Sequence, residues 1–452
     1  MKKFILISLA LLFKTASAQL CFSPPFNQQV VSNCNSVITD DFNQDGFADV
    51  ATVSGAANSV SVLFGTGLGN MTNLDSTVVD SLPYMLTSAD FNNDGYPDIA
   101  TSNYTDRSVS ILLNNGAGTF TGAVSYNAVI NYTIGYGTYA ITTGDFNGDS
   151  NIDIAVANST GLGSFSILLG NGAGVFGPPT GFVIGNQPVS IISADFNNDG
   201  IADIACTHYS PSKVSISLGN GSGGFISPGS FAAGSNAESV SAADFNGDSN
   251  LDLAVANFGS SNISVLLGDG TGGFIFQTNY PAGNHPFCVI TGDFNNDLKT
   301  DIATANMLSS DISIILGTGT GSFSSTYNFP AGAQPHSLVT ADFNMDGKAD
   351  IATGNWQATN TSILLSCLVT DIKPNNTISE VLVYPNPTNG LFKITSPEKQ
   401  TVQLYDITGK LVLNKIINGS ADIDASELEN GVYLLTIKNN AGISNQKLII
   451  TR

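Results

Sequence analysis

The chain has 452 residues, of which 36 are Asp or Glu and 15 are Lys or Arg, so its formal net charge is −21 although only 11% of its residues are charged. This acid excess disfavours nucleic acids and anionic lipid surfaces as partners, because both are bound by clustered Lys and Arg. A hydrophobic content of 42% also excludes a disordered acidic chain, and the length favours two or more domains.

The N-terminus has the pattern of a secretory signal. Lys2 and Lys3 precede an apolar run over residues 4–13, and the small residues Ala16 and Ala18 follow it. This order is typical of a signal peptide cleaved after Ala18, so residues 1–18 are predicted to be one. The run is too short to span a bilayer, and no later run approaches twenty apolar residues, so no transmembrane segment is expected.

The middle of the chain repeats seven times. The pattern Asp-Phe-Asn-x-Asp recurs at intervals of 49 to 55 residues, starting at Asp41, Asp90, Asp145, Asp195, Asp244, Asp293 and Asp342. Each copy continues into a short apolar run and a second β-like run, and every copy but the last then has a glycine-rich turn and another strand. Four short strands in about 50 residues is the period of a propeller blade, so the pattern predicts a seven-bladed β-propeller.

This repeat resembles the FG-GAP and VCBS families over residues 22–368. The resemblance implies that residues 19–368 form the propeller and that each blade carries a calcium loop between its first and second strands. The seventh copy lacks a fourth strand, and residues 22–27 match the fourth-strand segment 323–328 of the sixth copy. Residues 22–32 are therefore predicted to supply the outer strand of the last blade, which pairs an otherwise exposed edge.

The same alignment predicts a disulfide. Cys367 falls at the position of Thr318 and Cys21 at that of Ser322, on facing sides of one hairpin turn. A secreted protein can keep such a bond, so Cys21–Cys367 is predicted to fasten the seam of the ring. The remaining cysteines occupy different registers and are predicted to be small buried apolar residues: Cys34, Cys206 and Cys288.

The acidic loops have the composition of calcium sites. Numbered from the first Asp, each loop offers Asp at positions 1, 5 and 9, Asn at position 3 and a backbone carbonyl at position 7. Calcium binds six to eight such oxygens, so the loops predict up to seven Ca²⁺ ions. A glycine at position 6 would permit a sharp turn; Leu298 departs from this, and the site from Asp293 to Asp301 is expected to bind most weakly. The alternative is that these are ordinary Asp/Asn turns that need no metal.

The predicted ligands of the seven loops are Asp41, Asn43, Asp45, Phe47 and Asp49; Asp90, Asn92, Asp94, Tyr96 and Asp98; Asp145, Asn147, Asp149, Asn151 and Asp153; Asp195, Asn197, Asp199, Ile201 and Asp203; Asp244, Asn246, Asp248, Asn250 and Asp252; Asp293, Asn295, Asp297, Lys299 and Asp301; and Asp342, Asn344, Asp346, Lys348 and Asp350.

A candidate ligand face is predicted at the opposite end of the blades. Large side chains follow the second strand of several copies, at Tyr104, Tyr209, Phe258 and Trp356, and are predicted to bind a ligand such as a sugar or a peptide side chain. The position before this one is Asn or His in every copy but the first: Asn103, Asn158, His208, Asn257, Asn306 and Asn355. The alternative is that the Asn residues shape turns and that the aromatic residues cover the ends of the core.

The composition changes after residue 368. Residues 369–378 are predicted to be a linker, and residues 379–452 alternate apolar and polar residues in short runs, which predicts a small immunoglobulin-like β-sandwich. The motifs Tyr384-Pro385-Asn386-Pro387, Leu404-Tyr405-Asp406 and Asn430-Gly431-Val432-Tyr433 resemble the C-terminal sorting domain of the Bacteroidetes type IX secretion system. The resemblance implies that the type IX machinery is a partner and that the protein is secreted or attached to the outer membrane surface.

The repeat region offers little catalytic chemistry. It has one Glu, Glu238, and its bases are dispersed over four copies: Arg107, Lys213, Lys299 and Lys348. No catalytic residue is predicted. A glycosidase needs two carboxyl groups that are free for catalysis, whereas nearly every Asp here belongs to an acidic loop, and a lyase needs a cluster of bases or tyrosines. The sequence therefore favours a secreted or cell-surface, calcium-stabilised module that binds an extracellular glycan or protein. The alternative is a carbohydrate-active enzyme such as a polysaccharide lyase.

Overall fold

A computed structural model describes residues 19–128, 137–159, 163–369, 382–395, 399–406, 410–439 and 442–451. The predicted signal peptide, and the predicted linker apart from its first residue, lie outside the described residues. The described residues form strands and turns without a helix. The chain divides into two compact units, Met1–Leu368 and Val369–Arg452.

The first unit consists of seven four-stranded antiparallel sheets and one two-stranded sheet. Its strands in chain order are β1 (Gln19–Phe22) and β2 (Phe26–Gln29); β3 (Ser36–Asp40), β4 (Asp49–Ser54), β5 (Ser59–Gly65) and β6 (Met71–Val78); β7 (Pro83–Ala89), β8 (Asp98–Asn103), β9 (Ser108–Leu112) and β10 (Val124–Asn127); β11 (Thr138–Gly144), β12 (Asp153–Asn158), β13 (Ser164–Leu168) and β14 (Thr180–Val183); β15 (Pro188–Ala194), β16 (Asp203–His208), β17 (Lys213–Gly219) and β18 (Phe225–Ala232); β19 (Ala237–Ala243), β20 (Asp252–Asn257), β21 (Asn262–Gly268) and β22 (Phe274–Pro281); β23 (Pro286–Gly292), β24 (Asp301–Asn306), β25 (Asp311–Gly317) and β26 (Phe323–Pro330); and β27 (Pro335–Ala341), β28 (Asp350–Asn355), β29 (Asn360–Leu364) and β30 (Ser366–Val369).

The seven larger sheets are the blades of a closed ring. The first strand of each blade packs against the first strand of the next, and β27 of the last blade packs against β3 of the first. Each blade therefore has a neighbour on both faces, and this explains why the second strands are buried along their whole length, as β20 is. The hydrophobic cores lie between blades: Val214 and Ile216 of the fourth blade pack with Val255 and Leu266 of the fifth. The predicted all-β, seven-bladed propeller is confirmed.

An N-terminal strand completes the last blade and so closes the ring. β2 pairs with β29 as the outer strand of the last blade, with Asn27 opposite Ser362. In the sixth blade Asn328 lies opposite Ser313 in the same way. Next to this pair, β1 and β30 form the two-stranded sheet.

The seam carries the predicted disulfide, since the Sγ atoms of Cys21 and Cys367 are 2.11 Å apart. Of the three free cysteines, Cys34 and Cys206 are buried and Cys288 is half-buried.

The second unit contains two sheets. Its strands are β31 (Leu382–Tyr384), β32 (Leu391–Thr395), β33 (Lys399–Tyr405), β34 (Leu411–Asn418), β35 (Ala421–Asp424), β36 (Gly431–Asn439) and β37 (Gly442–Ile450). One sheet has the order β31-β32-β35 and the other the order β34-β33-β36-β37. Phe392 and Ile394 from the first sheet share one core with Leu404, Leu435 and Leu448 from the second. This arrangement agrees with the small β-sandwich predicted from the alternating pattern.

Candidate functional site

The acidic loops join the first and second strands of each blade and are held by their own side chains. In the fifth loop, Asp244 Oδ2 accepts a hydrogen bond from the Ser249 N–H at 2.8 Å. Asp248 Oδ1 accepts one from the Asn250 N–H at 2.8 Å, and the Asn246 amide donates to Asp248 Oδ2 at 3.0 Å. The side-chain oxygens of positions 1, 3 and 5 are thereby kept close together on a tightly curled backbone.

The ninth residue of each loop has a structural role that the sequence did not reveal. Asp252 is buried, and its two carboxylate oxygens accept hydrogen bonds from the N–H groups of Phe245 at 2.9 Å and Gly268 at 2.8 Å. Burial, together with the charges of Asp248 and Asp244, raises the pKa of Asp252 to about 6. The carboxylate thus ties the start of the loop to the end of the third strand.

The other six loops have the same connection. In each of them the ninth residue accepts hydrogen bonds from the N–H of the buried Phe at position 2 and from an N–H at or just after the end of the third strand. These ninth residues are Asp49, Asp98, Asp153, Asp203, Asp301 and Asp350. Burial also raises the pKa of each of them, to about 7 at Asp49 and Asp301.

Replacing Asp252 by alanine should lower the free energy of unfolding by about 2–3 kcal/mol, since two buried N–H groups lose their acceptor. This figure allows for a partly compensating gain in stability, because the substitution also removes a carboxylate that the neighbouring charges repel. Urea denaturation in calcium-free buffer measures the change. The matched control is Asp248→Ala in the same loop, where the side chain is exposed and water can replace it. Equal losses for the two variants would contradict the structural role of Asp252.

The loops offer oxygen ligands without a preformed cluster. Within the described residues, no group of three or more His, Cys, Asp or Glu side chains is arranged to hold a metal ion. The ninth carboxylate of each loop is turned to backbone amides, as Asp252 is. The donors at positions 1, 3, 5 and 7 are nevertheless all hard oxygens, which fits calcium. In two loops a lysine partly balances the fifth residue: Lys299 Nζ lies 3.3 Å from Asp297, and Lys348 Nζ lies 2.6 Å from Asp346.

The turn geometry makes one loop exceptional. Position 6 has a positive φ in all seven loops, and so does position 4. Six loops place glycine at one of these two positions, whereas the sixth loop has Asn296 (φ 57°) and Leu298 (φ 64°). A left-handed backbone costs a residue with a Cβ about 1–2 kcal/mol. Leu298 is also 95% exposed, so packing contributes little to offset this cost.

Leu298→Gly should therefore raise the free energy of unfolding by about 1 kcal/mol, after allowing for the greater flexibility of glycine in the unfolded chain. Urea denaturation with excess EDTA separates this backbone effect from any metal. Gly347→Leu, the reverse change in the seventh loop, should destabilise by a similar amount. If Gly347→Leu lowers the free energy of unfolding but Leu298→Gly does not raise it, the backbone of the sixth loop is not strained at Leu298.

The Asn and His residues that end the second strands are internal. All six are fully buried. Asn306 Nδ2 donates to Ser313 Oγ at 2.8 Å, and His208 Nε2 lies 2.9 Å from Ser215 Oγ. Burial lowers the pKa of His208 to about 4, so its ring is neutral at pH 7. These side chains join the second strand to the third within a blade, so they are not surface ligands.

In contrast to the buried Asn and His residues, three of the predicted aromatic residues line a pocket. Tyr104, Tyr209 and Phe258 line one pocket of about 290 Å³, at the end of the blades opposite the acidic loops. The rest of the lining includes Tyr139, Glu238 and Phe287. The sequence therefore identified three of the aromatic walls, but not the residues that complete the pocket.

Trp356, the fourth predicted aromatic, does not line this pocket but extends its aromatic surface. Its ring stacks on His336 with a centroid distance of 6.0 Å. His336 in turn stacks on Phe287 at 3.6 Å.

The lining residues that the sequence did not identify belong to a second set of equivalent positions. Each is the second residue of the first strand of its blade, which is the innermost strand of the ring. In six blades the strand register shifts at this point, and such bulges re-aim side chains. The residues concerned are Tyr84, Tyr139, Val189, Glu238, Phe287 and His336. An alignment of the seven copies places them in one column, but the bulge that directs them inward leaves no sequence signal.

Glu238 is the acidic group of the pocket. It is only 5% exposed, and the Tyr139 hydroxyl donates to Glu238 Oε1 at 3.2 Å across the mouth of the ring. Burial raises the pKa of Glu238 to about 8, and the hydrogen bond from Tyr139 opposes this rise. Glu238 has no ion-pair partner within the described part of the chain. The nearby His336 does not supply a charge, because burial lowers its pKa to about 4 and its Nδ1 lies 2.7 Å from the Asn35 carbonyl.

Two known structures support the fold. The chain is similar to two crystal structures of BBS1N in complex with ARL6DN, one soaked with lead (TM-score 0.53, 11% identity) and one with mercury (TM-score 0.54, 12% identity). Each alignment covers 77% of this chain and 97% of the other. A functionally unknown protein from Desulfotomaculum acetoxidans DSM 771 aligns with a TM-score of 0.48 at 12% identity, covering 83% of this chain and 98% of that one. No protein of curated function matches the chain.

Two family models match in sequence. The secretion system C-terminal sorting domain covers residues 382–451, which indicates export by the type IX machinery and a secreted or cell-surface location. In the part of the chain that the structure describes, no helix is long and apolar enough to cross a membrane. The FG-GAP-like repeat matches six overlapping stretches, 41–101, 90–156, 145–206, 195–255, 244–304 and 293–353. Because these stretches span most of the seven-bladed ring, the chain belongs to the family of FG-GAP-like repeat proteins.

Proposed function

We propose that the exported propeller binds an extracellular ligand, a glycan or a protein group, in the aromatic pocket opposite the acidic loops. The observation that carries this proposal is convergence: Tyr104, Tyr209 and Phe258 follow the second strands of three different blades, yet they line one pocket. Tyr139 and Phe287 join them from innermost strands. Concave sites with aromatic walls and few polar groups are typical of ligand recognition.

An array of extracellular glycans and proteins tests this function. A ligand that binds the intact protein should bind the Tyr209→Ala/Phe258→Ala double variant at least about tenfold more weakly, because two walls of the pocket are lost. The control is Ile275→Ala, which removes an exposed apolar side chain from the outer strand β22. Undiminished binding by the double variant would refute the pocket as the site. New unsaturated products from a bound polysaccharide would instead identify the protein as a lyase.

We also propose that calcium stabilises the propeller through the acidic loops. In each loop the carboxylates at positions 1, 5 and 9, the Asn side chain at position 3 and the carbonyl at position 7 would hold the ion. The raised pKa of the ninth residue supports this assignment, since part of its cause is repulsion by the carboxylates at positions 1 and 5. A divalent cation would remove that repulsion in every blade.

A further inference from the structure

The aromatic pocket combines a buried acid with π-electron walls. Glu238 is the acidic residue in its lining, and five aromatic side chains share that lining: Tyr104, Tyr139, Tyr209, Phe258 and Phe287. The carboxyl group is removed from water without a cationic partner in the described part of the chain. Burial raises the pKa of Glu238 to about 8, so the acid is mainly protonated at pH 7 while the pocket is free, and a bound cation would favour its ionised form.

The rings around the carboxyl group are electrically neutral. Burial keeps the pKa of Tyr139 well above its ordinary value, so its hydroxyl stays protonated at pH 7. His336 is also neutral, because burial lowers its pKa to about 4. Neutral aromatic faces attract a cation through the ring quadrupole, and they do so more strongly when water is excluded.

We propose that the pocket binds an organic ammonium group, with Glu238 as its counter-ion and the aromatic rings as cation–π walls. This assignment rests on the proposed function and names the chemical group that the pocket recognises. Tyr139 orients the acid, since its hydroxyl donates to Glu238 Oε1 at 3.2 Å and lies 2.7 Å from the Tyr84 hydroxyl.

Other ligand classes fit the pocket less well. An anionic group would be repelled by Glu238 whenever that carboxyl group is ionised. A neutral sugar could stack on the rings, but it would leave Glu238 protonated and without an ionic partner. An ammonium group on a short aliphatic stem satisfies both features, because its charge pairs with Glu238 while its methyl or methylene groups contact the rings.

Isothermal titration calorimetry with matched ligand pairs tests the proposal on the intact, exported protein. One pair is choline and dimethylbutanol, its uncharged carbon isostere; the other is n-butylammonium and n-butanol. At least one ammonium should bind about tenfold or more tightly than its neutral partner, the difference expected of a desolvated cation–π and ionic contact. Because each pair is compared on the same protein, the result does not depend on the folding of a variant.

Two substitutions locate the effect. Glu238→Gln should reduce the preference for the ammonium severalfold, because the ionic contact is lost while the rings remain, and it should leave the affinity for the neutral partner unchanged. Phe258→Leu keeps an apolar wall without a π face, so it should weaken the ammonium by about twofold to fivefold and spare the neutral ligand.

Equal affinity within both pairs, absence of binding by both ammonium compounds, or a preference that Glu238→Gln leaves unchanged would overturn the ammonium assignment. The proposed function fails on a different result, namely array ligands that bind the Tyr209→Ala/Phe258→Ala variant as well as the intact protein. Neutral ligands that require those two rings would therefore uphold the pocket while refuting the ammonium group.

Discussion

Replacing both Cys21 and Cys367 by serine should lower the free energy of unfolding by roughly 5 kcal/mol, the largest effect expected for any single covalent link in the ring. The two residues are 346 positions apart, so the disulfide restricts almost the whole propeller in its unfolded state. Loop-closure entropy grows with the logarithm of that separation, which places this bond near the upper end for proteins.

The other contacts at the seam are noncovalent, and the strands that make them are short. β2 contributes four residues to the last blade, and the side chain of Phe26 is 47% exposed. Ser362 Oγ donates to Asn27 at 2.6 Å, and the Phe22 and Phe329 rings lie 5.1 Å apart. When the disulfide is absent, only the short β1–β30 and β2–β29 pairings and such side-chain contacts keep the N-terminal segment in place, so the ring should open first at this point.

Urea denaturation with and without a reducing agent measures the effect. The reduced intact protein should match the double serine variant, and the reducing agent should not change the variant. Mass spectrometry of the unreduced protein should find three free thiols, those of Cys34, Cys206 and Cys288. An unfolding midpoint that reduction does not move would show that the bond is not a structural fastening.

The repeated pattern made the propeller predictable from sequence. Seven copies of Asp-Phe-Asn-x-Asp, each followed by apolar runs of strand length, leave few architectures other than a ring of blades. The pairing of Cys21 with Cys367 was also predictable, because the two residues align with Ser322 and Thr318, which face each other in the sixth blade's hairpin. In both cases one copy of the repeat provides the geometry of another.

The pocket was only partly predictable, for a physical reason. Tyr104, Tyr209 and Phe258 follow regular strands, so counting from the last Asp of each loop places them on one face. Tyr139 and Glu238 are 99 residues apart and meet across the ring, which no local pattern reports. Their direction depends on bulges in β11 and β19, where the pairing register shifts near the strand start.

For the ninth Asp of each loop, the sequence predicted the position correctly but not the role that the structure shows. Its spacing predicted a metal ligand, but in the structure Asp252 accepts hydrogen bonds from two backbone amides, and both its partners are in the same blade. The two roles are compatible, because each carboxylate oxygen has a second lone pair. A sequence pattern alone cannot rank them, since both require a buried acid at that position.

Calcium removal should cause the other large loss of stability. Extracellular calcium modules bind with dissociation constants of about 10⁻⁴ to 10⁻³ M, so about 10 mM calcium should contribute roughly 1–3 kcal/mol per occupied site. Up to seven sites act on one closed ring, and the melting temperature should therefore rise by at least about 10 °C between excess EDTA and that concentration.

The charge distribution explains why the expected effect is large. Residues 19–368 contain 28 of the 36 acidic residues and four basic ones, and 21 of those acids belong to the seven loops. Without cations, the carboxylates of one loop repel one another: the pKa of Asp49 is raised chiefly by burial and further by the charges of Asp45 and Asp41. Bound calcium would cancel much of this repulsion and join the loop ligands to the ninth residue that fastens each blade.

Differential scanning calorimetry in EDTA, in CaCl₂ and in MgCl₂ at equal ionic strength measures this dependence. Magnesium should stabilise less, because it is smaller and gives up its water reluctantly. The variant Asp244→Asn/Asp248→Asn should bind one calcium ion fewer than the intact protein, because it removes two carboxylates from one loop and spares Asp252. A melting temperature that is the same in EDTA and in calcium would show that the acidic loops are self-sufficient turns, held by Asp252 and its six counterparts alone.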